Sequence, residues 1–185
     1  MSNTLKIAPD LYINPPKTGI PGARWDYRQI SLLTTDLVTT QLVALGILPA
    51  GHRLMGGCLE SESLDSHTTT TITITVGVLN TYYNESPAGT TGIKFTIGSV
   101  QSAAAYSSGG QTATDADPQL VSGQNILTAS TIARTGGRVD TFPLAFSNAI
   151  GIDAKYDRII AIQFPALPAI AAAGKVSLGL MIDEP

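Results

Sequence analysis

From Thr68 to Val78 the chain reads TTTTITITVGV, which puts Ile72, Ile74, Val76 and Val78 on one side of an extended backbone and Thr71, Thr73 and Thr75 on the other. A period of two predicts a β-strand with one buried and one wet face. Threonine suits such a strand because its branched carbon fits a pleated surface while its hydroxyl tolerates water. Arg24 to Leu33 predicts a first strand. In Leu37 to Leu45 apolar residues occupy both parities, which predicts a strand covered on both faces. A turn over Gly46 to Gly51 leads into a strand at Arg53 to Ser61, where adjacent Gly56 and Gly57 mark a bulge or the close approach of a neighbour. Leu64 to Ser66 then turns the chain into the threonine strand.

After Val78 the pattern loosens. Asn80 to Gly92 predicts a loop with exposed tyrosines, and Ile93, Phe95 and Ile97 a short alternating run. Residues 99–137 are mostly small and polar; Asp115 is placed to cap a short helix ending at Leu120, and Asn125 to Ala133 forms a second short segment. Strands return at Ala149 to Ala154, Arg158 to Phe164 and Lys175 to Ile182. In the last, Val176, Leu178, Leu180 and Ile182 oppose Ser177, Gly179 and Met181.

Residues 1–23 follow a different rule. Leu5, Ile7, Leu11 and Ile13 are apolar at odd positions, but Pro9, Pro15, Pro16 and Pro21 interrupt any ladder of hydrogen bonds. Such a segment predicts an extended arm ordered by contact with its own body or a neighbour. The chain therefore divides into an arm, 1–23, and a β body, 24–185, with a loop and short-helix insertion at about 99–137. Without βαβ alternation, the short strands and Gly/Pro turns predict an all-β fold, a two-sheet antiparallel sandwich or a barrel.

Composition removes several alternatives. Of 185 residues only 14% are charged and the net charge is −3, well short of the roughly 25% charged residues of an ordinary soluble domain. Eleven basic residues in an acidic chain give no electrostatic footprint for nucleic acid. The N-terminus has no apolar run after Lys6, so no signal peptide is expected, and Ile159 to Ala173, broken by Pro165 and Pro168, falls short of a membrane span. Cys58 is the only cysteine, which excludes an internal disulfide and suits a small buried hydrophobe.

Catalytic groups are scarce. His52 follows a turn glycine and His67 opens the threonine run, with no acid placed beside either. Asp115 and Asp117, with Asp65, Asp153 and Asp157, could offer oxygens to calcium, but DADPQ lacks the DxDxDG spacing of a calcium loop. GHRLMGG lacks the spacing of a phosphate loop. No enzyme activity, cofactor or metal is expected. What remains is surface: Arg24, Trp25, Tyr27 and Arg28 follow directly on the arm, and Arg134 and Arg138 flank two glycines. Trp, Tyr and Arg are frequent binding anchors. With Leu5, Ile7, Leu11, Tyr12 and Ile13 of the arm they form the candidate interface. Tyr82, Tyr83 and Tyr106, placed in polar loops, offer an alternative glycan-stacking set.

The run GILPAGHRLMGGCLESESLDSHTTTTITITVGV resembles small head proteins of tailed bacteriophages: an LPAG turn at Leu48 to Gly51, a strand, an acidic turn at Asp65 and a Thr-rich strand ending in Gly77. DADPQLVSGQNILTAS and AAGKVSLGLMID are similar to the same group. The resemblance implies a jelly-roll-like sandwich that decorates or cements the outside of a capsid after synthesis in the host cytoplasm. Its partners would be the major capsid protein and its own copies, frequently as a homotrimer, with no role for nucleic acid or membrane. The alternative is a β-sandwich carbohydrate-binding module on a virion surface.

Overall fold

Among the described residues ten strands form two sheets packed face to face, with the longer strands burying their apolar sides between the layers. The computed structural model describes residues 3–8, 24–49, 51–84, 94–95, 119–140 and 157–183. In chain order the strands are β1 (Thr4–Ile7), β2 (Arg24–Leu32), β3 (Gln41–Leu48), β4 (Arg53–Ser61), β5 (Thr73–Asn84), β6 (Lys94–Phe95), β7 (Leu120–Ser130), β8 (Gly137–Val139), β9 (Asp157–Ala166) and β10 (Gly174–Asp183). A single helical turn, α1 (Ile132–Thr135), stands between β7 and β8.

One sheet has the order β1-β3-β9-β5, with β6 and β7 both paired to the far side of β5; the other has the order β2-β10-β4-β8. Pairing is antiparallel except for β1 on β3, the one parallel pair among the described strands. The architecture is the expected all-β sandwich, consistent with a jelly roll. Ile74, Val76 and Val78 of β5, Ile160, Ile162 and Phe164 of β9, and Leu178 and Leu180 of β10 are sealed from solvent between the layers. Gly46 marks how closely the sheets approach: a β-carbon there would lie 2.5 Å from Leu180 Cδ1.

Several boundaries differ from the sequence reading. β3 begins at Gln41 and runs through Gly46, because Leu37 is taken up in the turn after a 3₁₀ segment at Thr34–Asp36. It is nonetheless buried on both faces. β4 and β5 are consecutive strands but belong to different sheets, so the acidic turn between them is a crossover between layers. The bulge foreseen at Gly56 is present: Gly56 pairs with Met181 and Leu54 with Ile182, leaving Met55 as the extra residue.

The threonine face requires correction. Thr73 and Thr75 are buried rather than wet. Thr75 Oγ1 accepts the Ala129 N–H at 3.1 Å and Thr73 Oγ1 the Ala166 N–H at 3.2 Å. Both serve backbone groups of β7 and β9 where the β5 ladder shifts register. Only Thr71, before the strand begins, is exposed, and its hydroxyl donates to Leu167 O at 2.6 Å.

A second correction concerns the tyrosines. β5 continues to Asn84, so Tyr82 and Tyr83 occupy strand positions opposite Arg158 and Asp157 instead of a loop. Likewise the segment from Leu120 to Ser130, read as the end of one short helix and the start of a second segment, is the strand β7, held along β5. The capping position Asp115 and the predicted strand at 149–154 lie outside the described residues.

Candidate functional site

β2 sorts its residues by parity, and this divides the predicted interface set. Arg28, Ile30 and Leu32 are buried on the inner side, whereas Trp25, Tyr27, Gln29 and Ser31 are exposed on the outer side. Arg28 is thereby turned away from solvent, with its Nε donating to Asp26 Oδ1 at 2.7 Å. Burial pushes the Asp26 carboxyl up, against the pull of the Arg28 and Arg24 charges. Arg24 is partly buried, and its Nε and Nη2 have no hydrogen-bond partner among the described residues.

Arg134 and Arg138 do not act together. Arg134, on α1, donates from Nε to Ile72 O at 3.1 Å and from Nη2 to Thr71 O at 3.3 Å, clamping the helical turn to the entry of β5. Arg138, on β8, is half-exposed and donates to Glu60 Oε1 at 2.8 Å and to Asp140 Oδ1. Within the arm, Leu5 packs partly buried against the core and Ile7 pairs with Ala44 on β3; Leu11, Tyr12 and Ile13 lie outside the described residues, as does Tyr106. Lys6 ties β1 down: its Nζ meets Asp36 Oδ2 at 2.5 Å, and the Ala8 N–H donates to Ala44 O at 3.0 Å.

The outer face of the four-stranded sheet gathers what the sequence set apart. Trp25 and Tyr27 are 56% and 49% exposed, and both lean over Gly179 of β10. A β-carbon on Gly179 would meet Cys58 Sγ at 2.7 Å and the two rings at 3.3 Å, so the missing side chain lets the aromatics lie down on the sheet. The Tyr27 hydroxyl donates to Glu60 Oε2 at 2.6 Å, and that carboxylate pushes the phenol's pKa up. Glu60 also accepts Arg138, and Gln29 Nε2 donates to Ser177 Oγ at 3.0 Å. A pocket of about 290 Å³ opens beside these groups, lined by Gln29, Glu60, Glu62, Lys175 and Ser177 among others. Glu60, Gln29 and Ser177 escaped the sequence reading; for Glu60 and Gln29 their alternation with buried residues in β4 and β2 was the available signal, whereas Ser177 is buried in a run of buried β10 positions and gave none.

The residues weighed for catalysis sit in structural roles. His52 is buried in a turn, its N–H donating to Pro49 O, and its carbonyl accepts Arg158 Nη2 at 3.1 Å. His67 is exposed, with Nδ1 accepting the Thr69 N–H. Cys58 is buried, and burial pushes its thiol up. Asp65 is saturated by four backbone N–H groups, from Thr71, Ala169, Ile170 and His67. Among the described residues no group of three or more His, Cys, Asp or Glu stands close enough to hold a metal ion, and no helix is long and apolar enough to cross a membrane.

No family model matches the sequence, and no curated protein matches it. Solved structures do. A chain in the capsid of Ralstonia phage GP4 superposes with a TM-score of 0.67 at 19% identity, covering 98% of this chain and 99% of that one. A chain in the capsid asymmetric unit of cyanophage Pam1 superposes with a TM-score of 0.54 at 20% identity, covering 92% and 91%. At these identities the likeness is one of fold, and it extends over nearly the whole length of all three chains.

Proposed function

We propose that this chain is a structural virion protein that binds the outside of a bacteriophage capsid and stabilises it, as a decoration or cement protein. The observation that carries the reading is the near full-length fold shared with chains of two phage capsids. The phage-like LPAG turn and Thr-rich strand point the same way. The partners would be the major capsid protein and two further copies of the chain, on the outer surface of the virion, with synthesis in the host cytoplasm.

The mechanism is mechanical. Obligate-type interfaces bury on the order of 2,000 Å² or more. At about 25 cal/mol for each apolar Å², even half of that area gives a large gross attraction before association costs. Repeated by symmetry around a shell, such contacts resist expansion without any reacting group. Attachment is assigned to the arm, with Leu5, Ile7, Leu11, Tyr12 and Ile13 as its apolar anchors. Support comes from the placement of β1 at a sheet edge, joined to the body by a proline-rich connection.

Deleting residues 1–23 removes the edge strand β1 and is expected to lower capsid occupancy in a sedimentation binding assay, while the remaining strands keep a β-type far-UV circular dichroism spectrum. Unchanged occupancy of the truncated protein would overturn the assignment.

A further inference from the structure

We propose that the outer face of the four-stranded sheet is a carbohydrate-binding site, with Trp25 and Tyr27 as its floor, Gln29 and Glu60 as its hydroxyl-reading groups, and the buried Ser177 holding Gln29 in place. This face is distinct from Tyr82 and Tyr83, which stand on β5 of the other sheet.

A sugar ring presents C–H groups on its faces and hydroxyls around its edge, so a site for it needs aromatic rings beside side-by-side donors and acceptors. This face supplies both. Trp25 and Tyr27 are two residues apart on the same side of β2, which spaces them by about 6.8 Å at the usual strand rise, a distance on the scale of one sugar ring and its linkage. They lie over Gly179 with half their surface open. The next row of the sheet is polar, with Gln29, Ser177 and Glu60 opposite one another. It borders the pocket of about 290 Å³.

These groups are already fixed. Tyr27 is held by Glu60, Glu60 by Arg138, and Gln29 by Ser177. Side-chain freedom lost on folding is not lost again on binding, which favours a small, weakly apolar ligand. Charge narrows the class. Among the described residues of this face, Glu60, Glu62 and Asp140 outnumber Arg138 and Lys175, so it has no cationic surplus to hold an acidic sugar. Neutral pyranosides fit. A protein partner would seek a wider apolar patch, whereas the exposed apolar side chains here are Trp25, Tyr27 and Met55, and the surface turns polar one row away.

Trp25 is the chain's single tryptophan, so its fluorescence reads this face alone. The full-length protein is titrated with chitotetraose, maltohexaose and cellohexaose, and with sialyllactose as an acidic comparison. A saturable change in Trp25 emission is expected with at least one neutral oligosaccharide and none with sialyllactose. Tyr27→Ala and Glu60→Gln should each weaken binding about tenfold with unchanged circular dichroism, and Trp25→Ala should abolish the heat of binding in calorimetry. No response to any neutral sugar at millimolar concentration overturns the proposal. So does loss of capsid occupancy by Trp25→Ala, which would make this face a shell contact.

Discussion

Asp65 is the residue on which the crossover between the sheets turns. Its carboxylate takes N–H groups from Thr71 at 2.8 Å, Ala169 at 3.0 Å, Ile170 at 3.1 Å and His67 at 3.2 Å, and its backbone forms a β-bridge with Ala171, so one residue ties the β4–β5 connection to the β9–β10 connection. Burial pushes this carboxyl up, but the four donors outweigh it and hold its pKa well below the usual carboxylate range. A depressed folded-state pKa contributes stability above the unfolded value of about 3.9, and that contribution is lost as pH falls through the folded value. Asp65→Asn should therefore lower the melting temperature at pH 7. The gap to wild type should narrow once the pH drops below about 4, the unfolded-state carboxyl range; an equal gap at pH 7 and in strong acid would refute the linkage. An aspartate between Leu64 and Ser66 gives no hint of this role in sequence, because three of its four partners lie several residues to about a hundred residues downstream.

Strands were legible where the local pattern alone decides them. β2, β4, β9 and β10 fall within a residue or two of their predicted bounds: β2 alternates cleanly between open and packed positions, and the other three are apolar runs, mostly buried on both sides, set off by turn residues. β7 was missed since its small polar residues carry no alternation; the strand exists through its pairing with β5. β5 shows the limit in another way. Its threonines were assigned to water by residue type, yet the shifts of register along β5 expose neighbouring N–H groups that the buried hydroxyls must satisfy. Replacing either Thr73 or Thr75 by Val keeps the shape and removes the acceptor, so each should cost about 1 kcal/mol in urea unfolding. Thr71→Val, at an exposed site, should cost less, and a series in which all three are silent would return the threonines to a surface role.

At the scale of the molecule, the fold class was readable and the candidate site was readable only in its aromatics. Trp25 and Tyr27 stood out by type, but the groups that surround them come from three other strands, and their convergence depends on a sheet order that no local pattern encodes. The assembly reading carries its own consequence. The proposed homotrimer should appear as three times 19.3 kDa in light scattering at micromolar concentration. A monomer in the presence of saturating capsid as well as alone would remove the trimer from the proposal.

β10 lies between β2 and β4, and its apolar residues Val176, Leu178, Leu180 and Ile182 are completely enclosed. Both of those strands leave the ribosome long before residues 174–183 are made; until then, among the described strands, β2 has no hydrogen-bonding neighbour and β4 has only the three-residue β8. The four-stranded sheet, with the whole Trp25 face, therefore forms only after translation has passed β10. A chain stalled at residue 170 should remain open to protease throughout residues 24–61, whereas one stalled well beyond residue 183, with β10 clear of the exit tunnel, should become resistant in a single step.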